Sequence, residues 1–423
     1  MKLLYMVPYL TIDEEPTLSR HKSGFGYMVR DIIESTCEDD CENYIITQSY
    51  FTLEKQINNF VILQRTMSDI LKNINLEYFD IYKYISKYDI PFHNKLRYFF
   101  YFLNGGYIES VIKSVKPDVV HIHGIDFSTI PFIIACIKTD TPFLLTLHGV
   151  NSLNDSVLVN KYHKKMEIEL IKLGHEKHVK ISVISTGIKK RLEEIVGSKM
   201  ENMRVVTNGA KLLITNSESN STKKIVTNKK VFIAVGNISK NKNQMQILRS
   251  LKLLPMNLLL LIKVIFVGND NTNGEFTKLI KELELEEFVE YVGAVDRNEI
   301  SKYYKLAHYN ITASIDEGFG LSIIEAFQFG IPTVCFNDID AIHDVYDDKC
   351  LLLINDRSDE SLAQGILNAT EIKWDSTYIK EYSKKFTLES MSRKYKDIYS
   401  NELSNTLSIN DIKLLIKKLS ERE

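Results

Sequence analysis

Ser314 to Pro332 reads S-I-D-E-G-F-G-L-S-I-I-E-A-F-Q-F-G-I-P. Two carboxylates in it have neighbours that could put them to chemical use. Glu317 opens a glycine-bearing turn, Gly318-Phe319-Gly320, and Glu325 follows eight residues later inside an apolar stretch of helical character. A glycine turn that leads into a helix leaves backbone N–H groups free at the end where the helix dipole is positive, which makes an anion site. A carboxylate on each side can accept hydrogen bonds from hydroxyls. The combination suits a ligand that joins phosphate to polyol, such as a sugar nucleotide. A local reading coexists with this one: Ser322-x-x-Glu325 has the spacing of a helix capping box, and Gly330-Ile331-Pro332 is a helix stop.

Other groups are candidates by type and place. His121 and His123 lie on an apolar run and, because side chains alternate along a strand, project to the same face. His148 ends a second such run, Thr146-Leu147-His148-Gly149. Ser23-Gly24-Phe25-Gly26 precedes a helical pattern over 27–35, where glycine lets backbone N–H groups approach a ligand. Arg97 to Leu103, with Lys95 before it, is aromatic and basic; it reads as a core helix or as a surface for a membrane. Cys37-x3-Cys41 lies near His21, but no second ligand pair follows to complete a metal site.

These residues need a scaffold. Strand-like runs appear at Leu3–Val7, Tyr44–Thr47, Val119–Ile122, Phe143–Leu147, Ile181–Ile184 and Arg204–Thr207, with helix-like stretches between them. A second alternating series has runs at Val231–Val235, Ile262–Val267, Val289–Val292, Tyr309–Ala313, Thr333–Phe336 and Leu351–Ile354. Such alternation predicts an α/β protein with parallel sheets covered by helices. Residues 215–230, TNSESNSTKKIVTNKK, are polar and lysine-rich without periodicity and read as a linker. The expected organisation is a Rossmann-like domain over 1–214, the linker, a second Rossmann-like domain over 231–375, a helical crossover over 376–400 and an amphipathic tail helix over 401–423. Ligands in such sheets bind at the carboxyl ends of the strands, where His123, His148 and Glu317 fall.

Composition narrows the class. The 423 residues are too many for one ordinary core. A net charge of −2 argues against nucleic-acid binding. Five cysteines at irregular spacing do not form a disulfide framework and fit a reducing, cytoplasmic setting. The opening run Leu3–Val7 ends in Pro8 and reads as a first buried strand rather than a signal peptide, and no apolar run reaches transmembrane length.

The Glu-x7-Glu spacing, in its Gly-Phe-Gly and Glu-Ala-Phe-x-x-Gly-x-Pro context, resembles the retaining GT-B glycosyltransferases of glycosyltransferase family 4 (glycosyl transferases group 1). A second motif supports this: Ala234-Val235-Gly236-Asn237-Ile238-Ser239-Lys240-Asn241-Lys242 resembles the family's strand, Val-Gly-Arg and following Lys. The resemblance covers most of residues 1–400 and is strongest over 231–356. It implies the GT-B fold, two Rossmann-like domains facing across a cleft with a C-terminal helix crossing back to the first.

On that resemblance Lys242 grips the donor diphosphate, Glu317 holds the donor sugar, Glu325 holds the ribose hydroxyls, and the backbone of Gly318, Phe319, Gly320 and Leu321 meets the sugar or phosphates. Gly26 lies on the donor side of the first domain. His148 stands near the reacting sugar, and His123 faces the acceptor. Asn237 occupies the position of the family's arginine, which removes one positive charge; Lys240, three residues on, is either a substitute for it or part of a solvated lysine cluster.

Asp338-Ile339-Asp340 has the spacing of a metal-binding Asp-x-Asp, but lies where the family carries a variable loop. The implied enzyme is a hexosyltransferase-type glycosyltransferase that needs no metal and no cofactor. Its substrates would be a UDP- or GDP-sugar donor and a glycan or lipid-linked acceptor, in surface polysaccharide biosynthesis. It would be cytoplasmic, with a peripheral contact at the inner membrane face. Two other readings are a GT-B sugar-nucleotide epimerase, which would convert the sugar nucleotide without an acceptor, and a degenerate GT-B scaffold, which need not bind nucleotide.

Overall fold

A computed structural model describes residues 1–12, 24–36, 41–48, 51–87, 90–150, 161–213, 229–401, 403 and 406–421. The chain forms two compact units. One comprises Met1–Thr207 with Leu388–Glu423, the other Asn208–Thr387.

The first unit is built on an eight-stranded sheet: β1 (Lys2–Val7), β2 (Glu42–Thr47), β3 (Lys55–Ile57), β4 (Phe60–Ile62), β5 (Val119–His123), β6 (Phe143–Leu147), β7 (Ile181–Val183) and β8 (Met203–Val205), in the order β3-β4-β2-β1-β5-β6-β7-β8. Every pairing is parallel except β3 with β4. The second unit has β9 (Lys230–Val235), β10 (Ile262–Val267), β11 (Val289–Gly293), β12 (Tyr309–Ile311), β13 (Thr333–Phe336) and β14 (Leu351–Ile354), all parallel, in the order β11-β10-β9-β12-β13-β14. This is the doubly wound order of a Rossmann sheet, whose ligand crevice opens where the strand order reverses. In the second unit that point lies between β9 and β12; in the first it lies between β1 and β5.

The strands form for a shared reason. β5, β6 and β10 read VVHIH, FLLTL and IKVIFV and are buried almost throughout. A parallel sheet covered on both faces has no side facing water, so its strands are continuous apolar runs rather than alternating ones.

The strands anticipated at Phe143–Leu147, Ile262–Val267, Thr333–Phe336 and Leu351–Ile354 have those bounds. The hairpin β3–β4 was not anticipated. Its strands are three residues each, too short for a period to register, and Asn58 turns between them at φ 50°.

The expected boundary at 214/215 also differs. The units divide at Thr207/Asn208 and Thr387/Leu388, and most of the expected linker lies outside the described residues. The expected crossover over 376–400 is split. The helix Ser376–Ser383 belongs to the second unit, and the helix Leu388–Asn401 to the first. There the latter packs on the helix Gly24–Thr36, and Ser392 Oγ donates to Ser35 O at 2.7 Å. The tail forms the helix Ile409–Glu421, which buries Ile412, Leu415, Ile416 and Leu419 on one stripe. Lys177 pairs with its Asp411 at 3.1 Å.

Candidate active site

In the second unit the site is assembled at the reversal of strand order. Gly236, at φ +137°, directly follows β9, and Gly268, at φ +151°, directly follows β10. A Cβ on Gly268 would stand 2.2 Å from Gly236 O, so the two strand ends approach as only glycine allows. Past Gly236 the chain is folded back by Gln244, whose amide donates to Gly236 O at 3.3 Å and to Asn237 O at 3.1 Å and accepts from Ser239 N at 3.2 Å. This loop delivers Lys242, whose Nζ forms an ion pair with Glu317. Ser314, fully buried, donates its hydroxyl to the same carboxylate at 2.7 Å.

Glu317 comes from the turn after β12. That turn leads into the helix Leu321–Gln328, whose N-cap is Gly320 in the left-handed region with φ +79°. No side chain caps this helix, so the Ser322-x-x-Glu325 capping box is not formed. The first N–H groups are left to the anion role that the glycine turn implied.

Glu325 is held instead by Tyr304, a fully buried phenol that donates to Glu325 Oε2 at 3.0 Å and to Ser322 O at 3.1 Å. Burial and the adjacent carboxylate push the Tyr304 hydroxyl well above its ordinary pKa, so it stays a donor. Phe319 is buried and turns its ring inward against Phe386, centroids 6.1 Å apart. Asn237 does not join Lys242. It is exposed, and its Oδ1 accepts from Asn269 N at 3.1 Å. Lys240 is exposed as well.

Asp338 ion-pairs with Arg357. Among the described residues no group of three His, Cys, Asp or Glu side chains is placed to hold a metal. Cys37 and His21 lie outside the described residues, and Cys41, Cys136, Cys335 and Cys350 are free thiols.

In the first unit three imidazoles stack at the carboxyl ends of β5 and β6. His121 and His123 share a face as the strand period requires, with ring centroids 4.0 Å apart. His123 Nδ1 meets His148 Nε2 at 2.9 Å, and Phe25 sets its edge to His148 at 5.1 Å. His121 is anchored at both nitrogens, by Tyr399 OH at 2.7 Å and Thr146 Oγ1 at 2.6 Å. Burial, reinforced by the neighbouring imidazoles, pushes His121 and His123 well below their ordinary pKa, and burial alone pushes His148 down to about 4. All three are therefore neutral at neutral pH.

Two expectations change here. His123 is fully buried and backs His148, so it does not itself face an acceptor. Gly26 is also buried: a Cβ there would stand 2.1 Å from Thr11 Oγ1, so the glycine is required by packing, with no open approach to a phosphate.

Sequence reasoning missed Ser314, Asn241, Tyr304 and Arg357. Ser314 stands three residues before Glu317 and was within reach of a local reading. Tyr304 and Arg357 act across the fold and leave no local spacing to find.

Comparison with known proteins agrees with this architecture. The family described as Glycosyltransferase Family 4 matches residues 27–212, and Glycosyl transferases group 1 matches residues 215–386. An N-acetylgalactosamine-N,N'-diacetylbacillosaminyl-diphospho-undecaprenol 4-alpha-N-acetylgalactosaminyltransferase from Campylobacter jejuni is 30% identical over 143 residues, 34% of this chain and 38% of that protein. O-antigen chain mannosyltransferase B of Escherichia coli is 25% identical over 160 residues, 34% of this chain and 42% of that protein. The match thus spans about two-fifths of these relatives' own length.

Among solved structures, a sucrose-phosphate synthase from Thermosynechococcus elongatus superposes with a TM-score of 0.69 at 15% identity, covering 94% of this chain and 98% of that one. Anabaena HepE in complex with UDP superposes at 0.65 and 16%, covering 95% and 100%. With a family match on each sheet-bearing half and this shared fold, the chain belongs to family 4 of the GT-B glycosyltransferases.

Proposed function

We propose that the protein is a retaining glycosyltransferase that moves a sugar from a nucleotide-activated donor to a hydroxyl of a glycan or lipid-linked acceptor in surface polysaccharide assembly. The observation that carries this reading is the Lys242–Glu317 pair, set at the reversal of strand order beside an uncapped helix N-terminus. Lys242 and the N–H groups of Leu321 and Ser322 bind the diphosphate and stabilise it as it leaves with the bonding electrons of the broken C–O bond. Glu317, oriented by Ser314, accepts hydrogen bonds from donor-sugar hydroxyls. Glu325, held by Tyr304, accepts from the ribose. The neutral His148 hydrogen-bonds a sugar hydroxyl.

The names of the relatives, an undecaprenol-diphosphate sugar transferase and an O-antigen mannosyltransferase, support the lipid-linked or polysaccharide acceptor. No nucleophile is assigned to the retaining step; the anomeric configuration of the product, read by NMR, decides retention.

Transfer is expected to need no metal, because Lys242 supplies the positive charge and Asp338 is engaged by Arg357. Loss of activity in EDTA, restored by a divalent cation, would contradict this.

A peripheral membrane contact is assigned to the helix Phe92–Leu103. It buries Tyr98, Phe102 and Leu103 but exposes Phe92 (79%), Leu96 (46%) and Phe100 (43%) at four-residue spacing, beside Arg97 and with no acidic residue. Such a face suits an anionic bilayer surface. Failure to co-sediment with phosphatidylglycerol vesicles would remove this contact.

The central experiment replaces Glu317 or Lys242 by alanine. Transfer from a panel of UDP- and GDP-sugars should be nearly abolished while the cooperative thermal transition remains, and full activity in both variants would refute the assignment.

A further inference from the structure

The turn that carries Glu317 is gripped by two residues to which the proposed donor site gives no role. The ladder of β12 ends where Thr312 N donates to Val334 O at 3.0 Å. On one side Asn241 accepts Ile315 N on its carbonyl at 2.7 Å and donates its amide to Asp316 O at 3.0 Å. On the other side Arg357, just past the end of β14, lays its guanidinium across β13. It sits 4.7 Å over the Phe336 ring and ion-pairs with Asp338. Its Nη2 donates to Ser314 O at 2.9 Å and to Ile315 O at 3.4 Å, and its Nη1 reaches Ala313 O at 3.5 Å.

Carbonyls at the end of a buried strand need donors. A planar fork with five N–H groups serves several at once, where a lysine offers a single point. Gln246 fixes the arginine in turn by donating to Arg357 O at 2.5 Å. Asn241 adjoins Lys242, and Ser314 carries the hydroxyl on Glu317, so the gripped peptide and the ion pair form one construction.

We propose that Arg357 is a positioning residue for Glu317. It acts through the backbone of Ala313 to Ile315, is itself held by Asp338, and touches no substrate. The inference rests on the proposed role of Glu317 in the donor site.

The test compares Arg357→Met, Arg357→Lys and Asp338→Asn with the wild type. Amide hydrogen exchange of the ligand-free protein is followed over 312–318, with β9 and β10 as controls. Exchange over 312–318 should be at least about tenfold faster in Arg357→Met and intermediate in Arg357→Lys and Asp338→Asn, with the controls unchanged. If Arg357→Met does not fold, Arg357→Lys carries the comparison.

In steady-state transfer with the sugar nucleotide that the wild type turns over, kcat should fall at least about tenfold while the donor KM moves less than about threefold, because Lys242 and Glu325 still hold the nucleotide. Unchanged exchange over 312–318, a uniform acceleration through the second unit, or a raised KM at constant kcat overturns the proposal. A wild-type protein that transfers no sugar refutes the glycosyltransferase reading instead, and the exchange comparison then decides the role of Arg357 by itself.

Discussion

Lys242 and Glu317 neutralise each other at the spot where a phosphate and a sugar hydroxyl are proposed to bind, so donor binding is an exchange of charge-assisted partners rather than the filling of an empty site. The arrangement has a measurable cost when halved. Glu317 is only 10% exposed at its side chain, so Lys242→Met strands a carboxylate and should destabilise the protein by about 1–3 kcal/mol. Adding Glu317→Gln removes the stranded charge, and the double variant should be more stable in urea than Lys242→Met alone; simple additivity of the two losses would contradict the coupling.

The imidazole stack sets a pH dependence. His148 falls to about 4 in the folded protein, against about 6.5 for a free imidazole. Between these values the unfolded chain binds the proton that the folded one refuses, so stability is fully present above about 6.5 and is lost as pH falls toward 4. Tm should therefore drop between pH 7 and pH 4.5, and His148→Gln should flatten part of that drop. A His148 proton resonance that titrates near 6.5 in the folded protein would refute this environment. The residues also show where reading a sequence stops. Glu317 and Glu325 were singled out by their local spacing and Lys242, 75 residues from Glu317, by the motif it sits in, but the partners that orient the glutamates, Ser314 excepted, lie far along the chain: Tyr304 is 21 residues from Glu325 and Arg357 is 43 from Ser314.

At the level of strands and loops, the doubly wound order places the loops after β9 and β12 side by side, and the close approach of Gly236 to Gly268 sets where the first of them starts. Gly268→Ala should be severe. Its Cβ would meet a backbone oxygen at 2.2 Å, and φ of +151° disfavours any side chain. Such strain typically costs about 1–3 kcal/mol or more, and the displaced β9 end carries the Lys242 loop with it. Gly24→Ala is the contrast, since none of the described residues lies within 4 Å of the added carbon. Chemical denaturation of the two variants should separate them clearly; equal stability would remove the argument for a strand-end contact. Long buried strands were legible from continuous apolar runs. The register of helix starts was not: Gly320 rather than Ser322 begins the helix, because a left-handed residue that only the backbone reveals sets the cap.

For the whole molecule, the decisive fact is the return of the chain to its first unit. Leu388–Asn401 buries Met391, Tyr395, Ile398 and Tyr399 there, and Tyr399 supplies the hydrogen bond on His121. Ending the chain after Thr387 exposes that apolar stripe's counterpart and leaves a buried imidazole nitrogen unpaired, a loss of about 1–3 kcal/mol before the packing is counted. The truncated protein should show a lowered first transition with the second unit's transition preserved, measured by calorimetry; an unchanged thermogram would contradict the division into these units. The alternation of strands and helices made the two sheets legible, but not the point at which the chain changes unit, since the sequence on either side of Thr387 reads as one helical stretch although Thr387 itself is extended (φ −88°, ψ 158°).

Because residues 208–387 interrupt the first unit, the order of manufacture is inverted relative to the order of the sequence. On the ribosome the second unit is contiguous and can finish as soon as it clears the exit tunnel, whereas the first waits, with its final helices unmade, until residues 388–423 emerge. The half of the protein translated first is the half completed last, and its unfinished apolar surface is what a nascent-chain chaperone would meet.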